Sequence, residues 1–211
     1  MVDNNELQKR ADGIITRAKN ILTDPVGTWE TVAKETDEPM KVFLGYAMPL
    51  AAIGPIASFI GQQLFPLTIM GVTVKIPFVT GIVMAIVGYI FALIAVWVIA
   101  FVANLLSQQF EGRDDFPAAF RLTAYSLTAG WLAGVLNIIP LLGILGLLAG
   151  LYGIYIFYKG ATPIMGVPSE KSGIYTFVVI VVAIVALLIL GLVNGLITGP
   201  MMATTNVSIN V

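Results

Sequence analysis

The chain contains no cysteine and no histidine, and only 11% of its 211 residues are charged. Without cysteine there can be no disulfide, no thiol nucleophile and no thiolate metal ligand. Without histidine there is no imidazole to ligate haem and no group of the type that most often serves as a general base. Any catalysis would therefore have to use carboxylates, lysine, serine, threonine or tyrosine.

Neither sign of charge is in large excess, since the formal net charge is −1. This balance gives no reason to expect nucleic acid as a partner. What is abundant is apolar surface: 58% of the residues are hydrophobic and the mean hydropathy is +0.93. Soluble domains usually carry about a quarter charged residues. A single core could not bury this much apolar surface, so we expect the lipid bilayer to solvate part of the chain.

Five apolar stretches are long enough to cross a bilayer, which takes about 20 residues of α-helix. None of them contains Asp, Glu, Lys or Arg. The sequence therefore predicts an all-α polytopic membrane protein with a bundle of five transmembrane helices, at residues 42–65, 78–106, 122–139, 141–158 and 174–197.

The third and fourth stretches are separated by little more than Pro140, so they form either a hairpin or one broken helix. With the N-terminus inside and five crossings, every Lys and Arg except Lys75 lies on the cytoplasmic side, as the positive-inside rule requires. If residues 122–158 crossed only once, Lys159 and Lys171 would lie outside. We therefore expect a hairpin, with the N-terminus inside and the C-terminus outside.

These crossings divide the chain into a cytoplasmic amphipathic segment (1–39), a transmembrane domain (40–197) and a short external tail (198–211). Apolar residues recur at helical spacing between residues 7 and 22, and Asp24 followed by Pro25 predicts the start of a second short helix that carries Trp29. Two placements stay open for these helices. They lie on the anionic inner leaflet with Trp29 at the interface, or they pack on the loops of the bundle.

Small residues recur along the predicted spans at a spacing that lets helix backbones approach closely, since van der Waals contact drives helix association in lipid. The contacts could lie inside one bundle or between copies of the chain. The predicted helix-packing residues are Gly130, Gly134, Gly143, Gly146, Gly150, Gly153, Gly191, Gly195 and Gly199.

The loop at residues 110–115 carries three carboxylates, Glu111, Asp114 and Asp115, which are candidate ligands for Mg²⁺ or Ca²⁺ or a candidate acid–base pair. Against both roles, adjacent aspartates point in different directions and Arg113 can neutralise them. Pro117 predicts a helix start, which places an aspartate at the first turn, where it stabilises the helix. We therefore expect a capping loop, with no metal and no cofactor.

Polar side chains are scarce inside the predicted spans, and no carboxylate or base reaches the middle of the bilayer, where proton relays and substrate sites need one. No catalytic residue is predicted. Asn137 and Asn194 lie near the outer ends of their spans, and we expect both to face protein, because an amide in hydrocarbon without a partner is costly.

Several blocks of the sequence resemble the Yip1 domain family, in its short, prokaryote-like form, over residues 14–197. They are "RAKNILTDPVGTWETVAKE" (17–35), "GYAMPLAAIGPIASFIG" (45–61), "GRDDFPAAFRLTAYS" (112–126), "WLAGVLNIIPLLGILGLLAGLYGIYIFYKG" (131–160) and "GVPSEKSGIYT" (166–176).

This resemblance implies an integral membrane protein with five helices and a cytoplasmic N-terminus. Eukaryotic members act in Golgi and endoplasmic-reticulum traffic and interact with Rab GTPases and with one another. The chain lacks their Asp-Leu-x-Gly-Pro block, for which residues 24–27 are no substitute, so a Rab partner is not carried over.

The sequence as a whole predicts a non-enzymatic membrane scaffold or adaptor in membrane organisation or a trafficking-like process. Its partners would be the bilayer and either itself or other membrane proteins. The expected location is the cytoplasmic membrane of a prokaryote, or the Golgi or endoplasmic-reticulum membrane in a eukaryote. The alternative is a channel or transporter for a small solute or a lipid.

Overall fold

The computed structural model describes residues 4–65, 67–69, 72–202 and 206–209. Its α-helices are α1 (Asn4–Thr23), α2 (Pro25–Val32), α3 (Pro39–Val42), α4 (Met48–Ala51), α5 (Ile53–Leu64), α6 (Phe78–Ser107), α7 (Phe116–Ser126), α8 (Thr128–Ala133), α9 (Gly146–Met165) and α10 (Ser169–Met202). A π-helical turn (Phe43–Ala47) joins α3 to α4, and 3₁₀ turns occupy Gln108–Phe110, Gly134–Ile138 and Pro140–Leu145.

Within these ranges, four helical stretches are long and apolar enough to cross a membrane. We call Pro39–Leu64 the first span and Phe78–Phe110 the second span; the other two are Leu141–Met165, which contains α9, and Ser169–Pro200, which contains most of α10. The prediction of an all-α, multi-pass membrane protein is confirmed. The embedded helices imply contact with the lipid bilayer.

The predicted third span differs most from expectation. Residues 116–138, which we call the broken segment, consist of α7, α8 and the 3₁₀ turn Gly134–Ile138 rather than one long helix. The turn ends where Ile139 adopts an extended backbone (φ −108°, ψ 109°), as the residue before a proline prefers. The broken segment is therefore not among the four long helices, although the prediction counted it as a span.

A small sheet was missed by the sequence analysis. Strands β1 (Leu67–Ile69) and β2 (Val72–Lys75) form an antiparallel pair after the first span. Strand β3 (Asn206–Ile209), which follows α10, pairs with the other edge of β2 in antiparallel register, with Thr73 opposite Ser208. Residues 206–209, in the region predicted as a short external tail, are therefore attached by this pairing to the loop between the first two spans.

The two ends of the bundle differ in packing. The proximal end, which contacts α1, α2 and the loop at 110–115, holds most of the buried core, including Trp29, Phe120, Ile156 and Tyr175. The distal end carries the sheet. Long apolar side chains there stay exposed, as at Leu196, which is 78% exposed, because lipid can solvate them.

Candidate functional site

The most elaborate contacts of the proximal end begin at Trp29. The Asp24 side chain accepts a hydrogen bond from the Gly27 backbone N–H (3.0 Å) and caps α2, which fixes the face that α2 presents to α9. Trp29 is fully buried, and its indole Nε1–H donates to the Ile156 carbonyl (2.9 Å). A Cβ at Gly160 would lie 2.7 Å from the Trp29 ring, so only glycine leaves room for it.

This geometry decides the placement of Trp29 and α2 between the two that the sequence left open. Trp29 lies inside the protein, so the interpretation of Trp29 as an interfacial residue is wrong, and α1 also packs on the bundle through Ala18 and Ile21. The physical reason is that Gly160 opens a slot with a carbonyl acceptor beside it. The outer face of α1 still carries apolar surface, with Ile15 64% exposed.

A cluster of tyrosines and an arginine joins α1, the first span and the broken segment. The Tyr46 hydroxyl shares a 2.8 Å hydrogen bond with the Thr128 hydroxyl, and the Tyr46 and Tyr125 rings meet edge to face with centroids 4.9 Å apart. The Arg17 guanidinium lies 5.2 Å from the centre of the Tyr125 ring and forms an ion pair with Glu35. These contacts fix α1 against the bundle.

Two further hydrogen bonds tie neighbouring elements together at the same end. Arg121 is only 6% exposed, and its Nη1 donates to the Asp37 carbonyl (2.9 Å), which anchors α7 to the linker before the first span. The buried Tyr175 hydroxyl donates to the Ala103 carbonyl (2.8 Å) and links α10 to the second span. The proximal end is thus a connected, hydrogen-bonded layer.

The three carboxylates of the loop at 110–115 point to three separate partners. Asp115 is the N-cap of α7 and accepts from the Ala118 N–H (2.9 Å). Asp114 accepts from the Asn104 side-chain amide (2.7 Å), and Glu111 pairs with Lys171 (2.5 Å).

Arg113, which was expected to neutralise the aspartates, instead caps the end of α9. Its Nε donates to the Ile164 carbonyl (2.9 Å), and its backbone N–H donates to the Met165 carbonyl (2.8 Å). In the part of the chain that the structure describes, no group of three or more acidic side chains could hold a metal ion. The arrangement is that of a loop that closes helix ends.

The nine predicted packing glycines differ in how close their neighbours lie. A Cβ at Gly134 would lie 2.8 Å from the Gly54 Cα, and a Cβ at Gly153 would lie 2.8 Å from the Ser126 carbonyl oxygen, so these positions are close helix contacts. At Gly143 the nearest atom is the Asn137 Oδ1 at 3.0 Å. At the other six a Cβ would meet nothing within 4 Å, so their packing role stays a prediction: Gly130, Gly146, Gly150, Gly191, Gly195 and Gly199.

Gly61 and Gly160 also make close contacts, although neither belongs to the predicted set. A Cβ at Gly61 would lie 2.5 Å from the Asn137 and Ile138 carbonyl oxygens, and Gly160 accommodates Trp29. Gly160 follows Gly153 by two helical turns, so it lies on the same face of α9, and this spacing could have identified it. Gly61 follows Gly54 by the same seven residues, so this spacing could have identified it as well, although its contact lies on a distant part of the chain.

The distal end contains one polar cavity of about 370 Å³ between the helices. Asn137 and Asn194 both line it, as predicted, together with Ser58, Gln62 and Thr198. The Gln62 Oε1 is buried without a hydrogen-bond partner among the described residues. The lining side chains carry no charge, so the cavity offers hydrogen bonds but no acid, base or ion pair.

Comparison with known proteins gives one match. The model of the Yip1 domain matches residues 19–192, which includes α2, both named spans, the broken segment, α9 and most of α10. No curated protein and no solved structure matches the chain. Since the match covers most of the 211 residues, the chain belongs to the Yip1 domain family.

Proposed function

We propose that this protein is a non-enzymatic membrane scaffold or adaptor whose transmembrane bundle presents a rigid cytoplasmic surface built from α1, α2 and the loop at 110–115. The Yip1 family is linked to membrane trafficking, and its members are generally non-enzymatic. The observation that carries the proposal is a layer of buried apolar residues between the two ends of the bundle, which we call the dry layer.

The dry layer lies on the first span. A polar recess at the proximal end reaches Tyr46, and the distal cavity begins at Gly54. Between them the helix presents Leu50 and Ala51, which are 4% and 2% exposed. Because these two buried apolar residues separate the two recesses along the first span, this geometry favours a scaffold over a channel or transporter.

Five crossings are proposed because the broken segment runs beside the first span in the same direction. Contacts along the two pieces occur in the same order: Asp37 with Arg121, Tyr46 with Thr128, Gly54 with Gly134, and Gly61 with Ile138. A segment that accompanies a membrane span along its length must itself cross most of the bilayer. The broken segment is then the third crossing, although it is not one regular helix.

The sheet supports the same count. Strands β2 and β3 pair directly, so they lie on the same side of the membrane. Four segments come between the two strands: the second span, the broken segment, α9 and α10. Only an even number of crossings returns the chain to the side from which it started. Four crossings after the first span give five in total. The positive-inside rule then places the proximal end in the cytoplasm and β3 outside.

The membrane that we propose is the cytoplasmic membrane of a prokaryote, or the Golgi or endoplasmic-reticulum membrane in a eukaryote. A pair of cysteines tests the orientation, since the chain has none of its own. Thr73→Cys with Ser208→Cys places two thiols at opposed register positions of β2 and β3. We expect a disulfide that a membrane-impermeant reductant opens from outside intact cells.

Lys171→Cys is the matched control, because it lies at the proximal end and is expected to react with an impermeant maleimide only after permeabilisation. A reporter fused after Val211 should likewise signal an external location. A cytoplasmic reporter signal, or no disulfide between residues 73 and 208, would contradict five crossings.

The scaffold role itself is tested in proteoliposomes. We expect release of a trapped dye and transfer of fluorescent phospholipid between leaflets to equal the rates of protein-free vesicles. In native membranes, a crosslinked partner should be recovered with the unmodified chain and lost with Trp29→Ala, which removes the anchor of α2. Flux or lipid transfer above the protein-free rate would favour the channel or transporter alternative instead.

A further inference from the structure

A recess of about 550 Å³ opens between α1 and the beginning of the first span, and neither the scaffold role nor the loop at 110–115 uses it. Gly13 on α1 and Gly45 on the first span both line it, and a Cβ at either position would meet nothing within 4 Å. Gly45 lies in the π-helical turn Phe43–Ala47, and π turns inside α-helices are frequent at functional sites. The space is therefore created by the local backbone and by two missing side chains.

The recess is surrounded by more positive than negative charge. Arg10, Arg17 and Lys41 line it. Among the side chains that the structure describes, two acids pair with these cations: Asp37 is held by the Lys41 ammonium (2.7 Å) and Glu35 by Arg17. Arg10 forms no ion pair with any side chain that the structure describes. An anion that entered the recess would meet three cations whose charges the two acids only partly balance.

The remaining wall of the recess is apolar. Ile14, Val42 and Leu44 line it beside the two aromatic residues Tyr46 and Tyr125, and Leu44 is 58% exposed on the outer face of the first span. These residues lie where the first span begins, which is the depth of phospholipid head groups. A soluble anion needs only the cations, whereas a phospholipid also needs an apolar wall beside the phosphate.

We propose that this recess binds the head group of an anionic phospholipid of the cytoplasmic leaflet, with the phosphate between Arg10, Arg17 and Lys41 and the acyl chains along Leu44. The volume lies within the roughly 300–1,000 Å³ typical of small-molecule sites. The site would hold α1 at the membrane surface while Trp29 holds α2 in the bundle. It requires the orientation proposed above but does not depend on the scaffold role.

The test uses the full chain in a neutral detergent, with dioctanoyl phosphatidylglycerol as the probe. Dioctanoyl phosphatidylcholine and glycerol phosphate are the two comparison ligands. A ligand that binds only the folded state raises its thermal stability by mass action. We expect a saturable rise in Tm with phosphatidylglycerol, and little or none with phosphatidylcholine or with glycerol phosphate at the same concentration.

Three variants locate the site. Arg10→Gln and Lys41→Gln should each weaken the apparent affinity about fivefold, as expected for one cation at a membrane surface. Gly13→Leu should abolish the response by filling the recess, and its Cβ would meet no atom within 4 Å, so the fold should be retained. Lys19→Gln is the matched control, because it removes an equal charge from the exposed surface of α1 outside the recess.

An equal loss of affinity in Lys19→Gln, or an unchanged response in Gly13→Leu, would overturn the proposal, because binding would then follow overall charge. Equal stabilisation by phosphatidylcholine would also overturn it. If glycerol phosphate competed as strongly as phosphatidylglycerol, the recess would be a site for a soluble phosphate compound, and the lipid assignment would be wrong.

Discussion

The proximal and distal ends of the bundle are held together in different ways. At the proximal end, side chains from distant parts of the sequence are buried together and hydrogen-bonded, as Trp29 is to Ile156 and Arg121 is to Asp37. At the distal end, the long helices expose apolar side chains, and several glycines face open space. The same chain thus has a protein-like core at one end and a lipid-solvated bundle at the other.

The difference follows from the solvent at each end. Apolar side chains gain little by leaving lipid, so helix association in the bilayer relies on close backbone contacts such as that between Gly54 and Gly134. In water the hydrophobic effect drives burial, and every buried polar group needs a partner. A defined surface for recognition is therefore expected at the proximal end, and mutations there should cost more.

The largest effect is expected for Trp29→Ala. Removing a buried aromatic side chain costs about 3–5 kcal/mol, and here the Ile156 carbonyl also loses a hydrogen bond. Thermal unfolding in detergent should show a large loss of stability, and limited proteolysis should cut the linker between α2 and the first span faster. Leu196→Ala, at a distal position that is 78% exposed, is the control and should change stability little.

The next contrast compares glycines at the two ends. Gly160→Ala places a Cβ 2.7 Å from the Trp29 ring and should cost about 1–3 kcal/mol through overpacking. Gly195→Ala on α10 meets nothing within 4 Å and should be neutral or stabilising by up to about 1 kcal/mol, since alanine favours the helix. Unfolding curves of both variants measure this contrast, and equal losses would contradict it.

These contrasts also separate what the sequence could predict from what it could not. Hydropathy is a local signal and identified the long spans, and the capping roles of Asp24 and Asp115 are local too, because each involves a backbone N–H three residues away. The placement of Trp29 depends on Gly160, which is remote in sequence. The same amphipathic pattern suits a lipid surface and a protein surface, so it could not decide between them.

Neither the interruptions of the broken segment nor the sheet was predicted from the sequence, and the reason is the same for both. The apolar run at 122–139 has the composition of a membrane helix. Because it contacts the first span closely and is followed by Pro140, it forms two short α-helices and a 3₁₀ turn instead of one long helix. Strands β2 and β3 are four residues each and are far apart in sequence, since β2 follows the first span and β3 follows α10. Their pairing is a tertiary contact that no local pattern indicates.

A smaller effect is expected for the distal amides. Asn194→Leu removes a side chain that lines the polar cavity and, among the described residues, accepts a long 3.4 Å hydrogen bond from Thr198 of the same helix. Even an interhelical side-chain hydrogen bond contributes only about 0.6–2 kcal/mol in membranes, so the loss should not exceed that range. Thermal unfolding measures it, with Leu192→Ala on the exposed face of α10 as the control. A loss comparable to that of Trp29→Ala would remove the distinction between the two ends.

The smallest effect is expected for Asp114 and Asp115 of the loop at 110–115, whose side chains make polar contacts and are not part of the hydrophobic core. Asp115→Asn keeps an acceptor for the Ala118 N–H and removes only the charge at the start of α7, so it should cost at most about 1 kcal/mol. Asp114→Asn keeps an oxygen near Asn104 and should cost no more. Thermal unfolding of each variant measures the change, and Asp12→Asn on the exposed face of α1 is the matched control.

Titration with Mg²⁺ or Ca²⁺ against a chelator completes this prediction, because a cap needs no metal whereas an ion bound only to the folded state would raise Tm by mass action. Glu111, Asp114 and Asp115 each have a separate partner, so bringing them together around one cation would break the Lys171 ion pair and the cap of α7. We therefore expect no saturable shift with either cation. A saturable shift that disappears in Asp114→Asn would contradict the capping role and make the loop a cation site.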